Sequence, residues 1–241
     1  MTTTFEGKTA LVTGASGGIG RRIAERLAAA GATVALHYSS NAEPAQELAS
    51  ALPKAAAFRA DLGEPDAPDR LVDEVESVFG PVDVLVANHG RSQVARLEQV
   101  DAAAFDDMLA VNLRAPFLLA RRTIPTMSEH GFGRVLFMSS VAGLTGGIVG
   151  PHYAASKAGL HGLTHYLARR SAGEGVTVNA LAPALIEDTG MLPGDPGALA
   201  TMIPVGRLGK PEEVADLSLA ILRNGYMTNQ VVSLDGGMHP R

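Results

Sequence analysis

The chain has 241 residues, of which 46% are hydrophobic and 19% are charged, and it contains no cysteine. This length and hydrophobic content suit one globular domain with a sizeable core, and the missing cysteines exclude disulfides, thiol nucleophiles and cysteine-bound metals. The formal net charge of −5 argues against nucleic acid or an anionic membrane as the main partner.

Short runs of apolar, β-branched residues alternate along the chain with longer helical stretches. Strands are predicted at 8–13, 33–37, 55–60, 82–87, 134–139, 176–181 and 230–234, and helices at 18–30, 41–52, 64–79, 101–125, 152–173 and 211–223. Continuous apolar strands indicate a sheet that is buried on both faces. The alternation predicts an α/β fold with one domain over 1–241: a Rossmann-type, doubly wound parallel sheet of seven strands with helices on both faces.

The longest stretch without a predicted element is residues 183–210, which contains four prolines. A loop of this length in a compact domain is usually functional or disordered. We interpret it as a mobile segment over the active site that contains a short helix.

No stretch of the sequence has the features of a membrane or export segment. A run of about 18 uncharged apolar residues does not occur, and the first residues lack the basic segment and long apolar segment of a secretory signal. We therefore expect a cytoplasmic protein that does not bind a membrane.

A glycine-rich turn links the first predicted strand to the first predicted helix. It reads Thr-Gly-Ala-Ser-Gly-Gly-Ile-Gly over residues 13–20. Its glycines let the backbone turn sharply and approach a ligand closely, and the helix start offers unpaired N–H groups to a pyrophosphate. A glycine-rich turn alone is a weak signal, but its position between a strand and a helix predicts a dinucleotide site.

Tyr153 and Lys157 are four residues apart in a predicted helix, so their side chains face the same way. A phenol normally has a pKa near ~10, and a neighbouring ammonium is expected to favour the phenolate and lower this pKa toward the working range. Ser140, thirteen residues upstream of Tyr153, offers a hydroxyl to a substrate oxygen. Such a spacing is often an ordinary surface pair, and the glycine-rich turn is what favours a catalytic role.

These features together resemble the short-chain dehydrogenase/reductase family over residues 8–237. The glycine-rich turn matches the family's cofactor loop, and Asn112, Ser140, Tyr153 and Lys157 match its catalytic tetrad. The stretches at 206–209, 211–214 and 235–237 are similar to those of the family's 3-oxoacyl-(acyl-carrier-protein) reductases.

By this resemblance the protein binds a nicotinamide dinucleotide and has no metal site. The implied cofactor contacts lie in the glycine-rich turn, at strand ends and on the catalytic helix: Gly14, Ser16, Gly18, Ile19, Gly20, Tyr38, Ser39, Ser40, Asn41, Asp61, Leu62, Asn88, Gly90, Tyr153, Lys157, Pro183 and Ile186. Asp61 and Leu62 match the pair that usually contacts the adenine. His89 stands where the family has a small residue.

The resemblance also implies a mechanism. A hydride passes between the nicotinamide and a carbon that bears oxygen, while Tyr153 exchanges the proton and Ser140 hydrogen-bonds the same oxygen. Lys157 holds the nicotinamide ribose and keeps the tyrosine acidic, and Asn112 anchors a water that connects Lys157 to solvent. Without the other three residues, Asn112 would be interpreted as a helix residue that bonds to nearby backbone.

The end of the second strand bears on the choice of cofactor. NAD-specific relatives place a carboxylate there, which bonds the ribose 2′-hydroxyl. Here residues 37–41 read His-Tyr-Ser-Ser-Asn, and no acidic residue occurs before Glu43. NADP(H) is therefore favoured over NAD(H), because a 2′-phosphate meets no repulsion and finds hydrogen-bond donors. Gly17 stands where many NADP-dependent members carry an arginine.

The sequence leaves three functions open. The motifs favour a reductase of 3-oxoacyl thioesters, either free or bound to a carrier protein, although 128–131 and 171–174 lack the basic docking residues of those reductases. A dehydrogenase or reductase of a free alcohol, sugar or polyketide-type ketone uses the same chemistry. A nucleotide sensor without catalysis is disfavoured by the intact Ser140, Tyr153 and Lys157. Family members are commonly tetramers, so we expect a homotetramer.

Overall fold

Seven parallel strands form one sheet in the computed structural model, which describes residues 5–190, 192 and 194–239. In chain order the strands are β1 (Thr9–Val12), β2 (Thr33–Tyr38), β3 (Ala55–Arg59), β4 (Val82–Ala87), β5 (Gly133–Met138), β6 (Val176–Pro183) and β7 (Val231–Leu234). Across the sheet they follow the order β3-β2-β1-β4-β5-β6-β7, and every pairing is parallel.

Helices cover both faces of the sheet. They are α1 (Gly18–Ala29), α2 (Ala42–Ala51), α3 (Ala67–Phe79), α4 (Ala102–Leu109), α5 (Ala115–Glu129), α6 (Ala142–Thr145), α7 (Pro151–Ser171), α8 (Pro196–Ala200) and α9 (Pro211–Arg223). Helices α1, α2 and α9 pack on one face, and α3, α5 and α7 pack on the other. The predicted fold class is therefore confirmed. Among the described residues, no helix is long and apolar enough to span a membrane.

Alternation along each strand divides the core between the two faces. In β1, Ala10 and Val12 belong to the cluster under α1, whereas Leu11 belongs to the cluster under α3 and α5; in β5, Leu136 and Phe137 divide in the same way. All five side chains are fully buried. Burying each large one stabilises the fold by about 1.5–3 kcal/mol, which explains why these strands read as continuous apolar runs.

The strand order creates a crevice at the carboxyl ends of β1 and β4. After β1 the chain adds β2 and β3 on one side of β1, and then it adds β4 to β7 on the other side. Open α/β sheets bind ligands at such a switch point. The Thr13 N–H donates to the Val86 carbonyl at 3.0 Å, so the pairing of β1 with β4 continues up to the residue where the glycine-rich turn begins.

One predicted helix is divided in the structure. The single helix predicted over 101–125 consists of α4, a π-helical turn at Ala110–Arg114, and α5, which continues to Glu129. The helix predicted over 64–79 begins only at Ala67, and α6 has no counterpart among the predicted elements. These boundaries depend on hydrogen bonds that the apolar spacing does not reveal.

The segment at 183–210 is partly ordered by a small apolar cluster of its own. It contains α8, and Ile186 pairs with Gly209 in an isolated parallel bridge. The buried members of the cluster are Leu199, Ile203 and Leu208. The short helix expected in this segment is confirmed. Met191 and Pro193 lie outside the described residues, and the mobility of the segment stays a prediction.

Candidate active site

The glycine-rich turn needs glycine at two positions for different reasons. Gly14 has a φ of +66°, a left-handed conformation that side chains disfavour. A Cβ atom at Gly20 would lie 2.2 Å from the Gly14 carbonyl oxygen and 2.6 Å from Nδ2 of Asn88. Asn88 in turn donates from Nδ2 to the carbonyls of Thr13 and Gly14, at 3.0 and 3.2 Å. The amide therefore fixes the turn to the end of β4.

Helix α1 starts in this turn without a capping side chain. Its N-cap residue is Gly17, which has no side chain that could accept a hydrogen bond from the first N–H groups of the helix. The first turn also contains no acidic residue. The free N–H groups at a helix start carry partial positive charge and form a site for phosphate. Ser16, Gly18 and Ile19 line the adjoining cavity, so the residues present fit the pyrophosphate of a dinucleotide.

His37 supports the turn from the end of β2, a role that the sequence did not indicate. Its Nδ1 accepts the Gly14 N–H at 3.1 Å, and its Nε2 lies 3.1 Å from the Ala60 carbonyl oxygen, so we assign the hydrogen of the neutral ring to Nε2. Burial lowers the pKa of His37 to about 4, because an imidazolium is poorly solvated there.

Ser140, Tyr153 and Lys157 meet beside the carboxyl end of β5. Ser140 follows that strand, whereas Tyr153 and Lys157 occupy successive turns of α7. The Ser140 hydroxyl lies close enough to Tyr153 to favour ionisation of the phenol, and Nζ of Lys157 lies 5.7 Å from the centre of the Tyr153 ring. Nζ also donates to the Met138 carbonyl oxygen at 2.8 Å. The structure thus brings the three side chains together.

Burial dominates the ionisation of this cluster. Tyr153 is 8% exposed; burial raises its pKa above the ordinary value, and the nearby Ser140 hydroxyl opposes the rise. Burial also lowers the pKa of Lys157 to about 8. The expected lowering of the Tyr153 pKa by Lys157 is therefore wrong for this structure, because desolvation of the phenolate is the largest influence on that pKa and raises it. At neutral pH Tyr153 keeps its proton.

Asn112 is fully buried at the centre of the π-helical turn. Its Nδ2 donates to the Arg91 carbonyl at 2.9 Å and to Oγ of Ser156 at 3.2 Å, and its Oδ1 accepts the Arg91 N–H at 2.8 Å. Ser156 donates onward to the Tyr153 carbonyl at 2.7 Å. Asn112 thus connects the loop after β4 to α7 instead of bonding to nearby backbone. Such π-helical turns are frequent at functional sites.

One cavity of about 570 Å³ joins the glycine-rich turn to the Ser140–Tyr153 pair. The predicted site residues that line it are Gly14, Ser16, Gly18, Ile19, Asn88, Gly90, Ser140, Tyr153, Lys157, Pro183 and Ile186. Gly20 and Asn112 are buried outside its walls. Within the described ranges there is no group of three or more acidic or histidine side chains that could hold a metal ion.

Besides Gly20, six predicted cofactor contacts lie outside this cavity, at the carboxyl ends of β2 and β3: Tyr38, Ser39, Ser40, Asn41, Asp61 and Leu62. Arg59, which the sequence did not single out, is adjacent to them. It is paired in register with Tyr38, and its Nε donates to the Ser39 carbonyl at 3.3 Å. The parallel register of β2 and β3, which no local pattern in the sequence specifies, places it there.

The short chain dehydrogenase family model matches residues 8–195 of the chain. The chain belongs to the short-chain dehydrogenase family. The resemblance drawn from the sequence motifs is thereby confirmed, and the protein is an oxidoreductase of a family that uses a nicotinamide cofactor.

Other short-chain dehydrogenases match nearly the whole chain. It is 37% identical over 243 residues to the uncharacterized oxidoreductase YmfI of Bacillus subtilis, covering 96% of this chain and 99% of the relative. It is 36% identical over 242 residues to the 3-oxoacyl-(acyl-carrier-protein) reductase FabG of Escherichia coli, covering 98% of each. A solved short-chain dehydrogenase/reductase of Serratia marcescens has a TM-score of 0.91 at 33% identity, covering 98% of this chain and 99% of that chain.

Acidification is expected to destabilise this short-chain dehydrogenase through His37. Its folded-state pKa of about 4 lies below the ordinary 6.5, so below pH 6.5 the unfolded chain binds a proton that the folded protein does not. The stability that His37 contributes is fully present above pH 6.5 and is lost as the pH falls toward 4. Between about pH 7.5 and about pH 5, the His37→Gln variant should lose about 2 kcal/mol less unfolding free energy than wild type.

Urea unfolding at the two pH values measures this difference. Because each protein is compared with itself, a general destabilisation of the variant cancels. His130→Gln, at an exposed position, is the matched control and should behave as wild type. An equal loss in His37→Gln and wild type would contradict the prediction.

Proposed function

We propose that this protein is an NADP(H)-dependent reductase of 3-oxoacyl thioesters. The observation that carries the proposal is the cavity that joins the uncapped glycine-rich turn to Ser140 and Tyr153. A dinucleotide bound to the turn and a carbonyl group beside Tyr153 would share this cavity, which is the arrangement that carbonyl reduction requires.

In the reducing direction the chain's own residues supply the proton. A bound nicotinamide supplies the hydride. Tyr153, which burial keeps protonated, donates its hydrogen to the carbonyl oxygen as that oxygen gains negative charge, and Ser140 donates a hydrogen bond to the same oxygen. The Lys157 ammonium stabilises the tyrosinate that remains, because a nearby opposite charge favours the ionised phenol.

Lys157 and Asn112 support this proton transfer. A Cβ atom at Gly90 would lie 3.4 Å from both Oδ1 of Asn112 and Nζ of Lys157, so these two side chains approach each other across Gly90. The Asn112 side chain is already bonded to Arg91 and Ser156. Asn112 would anchor a water that leads from Lys157 to solvent, and Lys157 would also hold the nicotinamide ribose.

The preference for NADP(H) is supported by charges near the end of β2. The first acidic residue after the strand, Glu43, already belongs to the first turn of α2. Arg59 is exposed, contacts the Ser39 carbonyl, and forms no ion pair within the described residues. An unpaired guanidinium beside Ser39 and Ser40 would bind a 2′-phosphate through charge-assisted hydrogen bonds.

The lining of the cavity favours an apolar substrate. Its apolar side chains include Val141, Ile148, Val149, Leu185, Leu192, Met202 and Met238. A sugar would need polar partners for its hydroxyl groups, whereas an acyl chain needs apolar contacts. The 36% identity to FabG of Escherichia coli, a 3-oxoacyl reductase, supports the thioester.

A free apolar ketone is the second candidate substrate. The observation that favours it is the acidic character of the two stretches where the related reductases carry basic docking residues, since Glu129 and Glu174 occupy them here. An acidic carrier protein would be repelled there. The carbonyl chemistry is the same in both cases.

A homotetramer is proposed from the family resemblance and from uncovered helix faces. Phe117 of α5 and Tyr166 of α7 are 42% and 58% exposed. On α7, Ala155, Ala158 and Gly162 are exposed as well, and small residues let a second helix approach closely. These faces would pair α5 and α7 with the same helices of another copy.

A substrate panel tests the proposed function. NADPH oxidation should be fastest with 3-oxoacyl thioesters of medium chain length, slower with small ketones, and absent with sugars, because only an acyl chain fills the apolar wall. The measurement is kcat/KM from the loss of NADPH absorbance. Turnover of sugars but not of thioesters or ketones would overturn the assignment, and cofactor binding without turnover of any carbonyl would indicate a sensor.

Replacing Tyr153 by phenylalanine should abolish turnover while cofactor affinity stays near that of wild type. The substitution removes the proton donor and little volume, so kcat should fall by about 10²–10⁴-fold. Tyr226→Phe, at a tyrosine that is 99% exposed, is the matched control and should keep full activity. Substantial remaining activity in Tyr153→Phe, with cofactor binding intact, would refute its role.

Replacing Arg59 by glutamine should weaken the preference for NADPH over NADH. A charge-assisted hydrogen bond contributes about 1.5–3 kcal/mol, so the ratio of kcat/KM for the two cofactors should fall by at least about tenfold. The kcat/KM for NADPH should fall, whereas the kcat/KM for NADH should change little. Arg169→Gln, an exposed arginine at the end of α7, should leave the ratio unchanged. An unchanged ratio in Arg59→Gln would exclude contact with the 2′-phosphate.

A further inference from the structure

His89 is a buried imidazole at a position where the family resemblance predicts a small residue. It is 8% exposed and lines the cavity. We propose that His89 is a positioning residue: it ties the glycine-rich turn to the π-helical turn and thereby holds Asn112 and α7 in place for the carbonyl reduction proposed above, on which this inference rests.

On one side His89 is bonded to the start of the glycine-rich turn. Its Nδ1 lies 2.7 Å from Oγ of Thr13. That oxygen also accepts the backbone N–H groups of Asn88 and His89, at 3.0 and 3.2 Å, so its own hydrogen is free to be donated. The Val86 carbonyl is a more distant acceptor, at 3.3 Å. The Thr13 hydroxyl therefore donates to Nδ1 of His89.

On the other side His89 is bonded to the π-helical turn. Its Nε2 lies 3.0 Å from the Val111 carbonyl oxygen, which can only accept, so the ring hydrogen is on Nε2. This tautomer agrees with acceptance at Nδ1. One neutral imidazole thus joins the end of β1 to the residue that precedes Asn112, and each ring nitrogen has a single partner of the correct kind.

Hydrogen bonds continue from the π-helical turn to the catalytic helix. Asn112 donates to Ser156, and Ser156 donates to the Tyr153 carbonyl. A π-helical turn holds one more residue than an α-helical turn, and it persists only where outside contacts satisfy its backbone. The bond from His89 to the Val111 carbonyl is such a contact. It connects the cofactor side of the cavity to the residue that donates the proton.

The surroundings of His89 keep this arrangement in a single protonation state. Burial, the neighbouring His37 and the positive charge of Lys157 all lower the pKa of His89 well below its ordinary value. The two imidazole rings are edge to face, with centroids 6.1 Å apart. A protonated His89 carries a hydrogen on Nδ1, so Nδ1 could no longer accept the hydrogen of the Thr13 hydroxyl. The neutral ring is therefore the form that links the two turns.

Three substitutions separate the two bonds. His89→Gln places an amide donor where Nε2 lies and keeps the bond to Val111, whereas His89→Asn places an acceptor where Nδ1 lies and keeps only the bond to Thr13. His89→Ala removes both. His130→Gln, an exposed histidine at the end of α5, is the matched control.

Amide hydrogen exchange of the cofactor-free protein reports directly on the π-helical turn. Exchange over residues 108–116 should accelerate by about threefold to tenfold in His89→Ala and His89→Asn. It should lie between wild type and His89→Ala in His89→Gln, which keeps the Val111 bond but loses the Thr13 bond, and it should match wild type in the control. With the substrate found in the panel, kcat should fall by about tenfold in the Ala and Asn variants and should be partly restored by Gln.

The proposal would be overturned if amide exchange over residues 108–116 were as slow in His89→Ala as in wild type. It would also be overturned if that exchange were equally fast in His89→Asn and His89→Gln. Acceleration in His89→Gln as large as that in His89→Ala would overturn it too, because the Val111 bond would then not be the stabilising one. If the wild type reduces no thioester or ketone, the proposed function fails, while the exchange comparison still decides whether His89 holds the π-helical turn.

Discussion

The buried ammonium of Lys157 is the charge on which the geometry of the site depends. A charge removed from water is costly unless it is hydrogen-bonded. Here Nζ donates to the Met138 carbonyl at 2.8 Å, and Oγ of Ser139 donates to the Lys157 carbonyl at 3.0 Å. These two contacts fix α7 to the end of β5. Tyr153, one turn earlier on α7, is thereby held beside Ser140.

The burial of the site also determines which groups carry a proton at neutral pH. It raises the pKa of Tyr153 and lowers that of Lys157 to about 8, so it favours the uncharged form of each group. A protonated phenol is the form that donates to a carbonyl oxygen. When negative charge develops there, a fixed cation in a water-poor cavity stabilises it more strongly than in water. Under the proposed function, this arrangement would favour carbonyl reduction at neutral pH.

Local patterns in the sequence predicted the parts of this site that depend on local geometry. The glycine-rich turn needs only its own backbone and the adjacent helix, and the Tyr153–Lys157 pair needs only helical spacing. The seven strands were predicted because apolar runs with both faces buried are a strong signal. Their parallel arrangement between two layers of helices followed from the alternation of strands and helices along the chain.

The remainder depends on contacts between distant parts of the chain. Arg59 lies beside Ser39 because of the register of β2 and β3, which no local pattern specifies. The π-helical turn adds one residue to a turn without interrupting the apolar spacing of α4 and α5. The sign of the Tyr153 pKa shift is set by burial, and the expectation from the lysine alone was wrong because it left desolvation out.

Transfer of deuterium from NADPH that is dideuterated at nicotinamide C4 tests the central claim most directly. The substrate is a 3-oxoacyl thioester, and mass spectrometry of the product is the readout. We predict one deuterium in each product molecule, on the carbon that bears the new hydroxyl group, because the hydride comes from the nicotinamide and the proton from Tyr153. A reduced product without deuterium on that carbon would contradict the account.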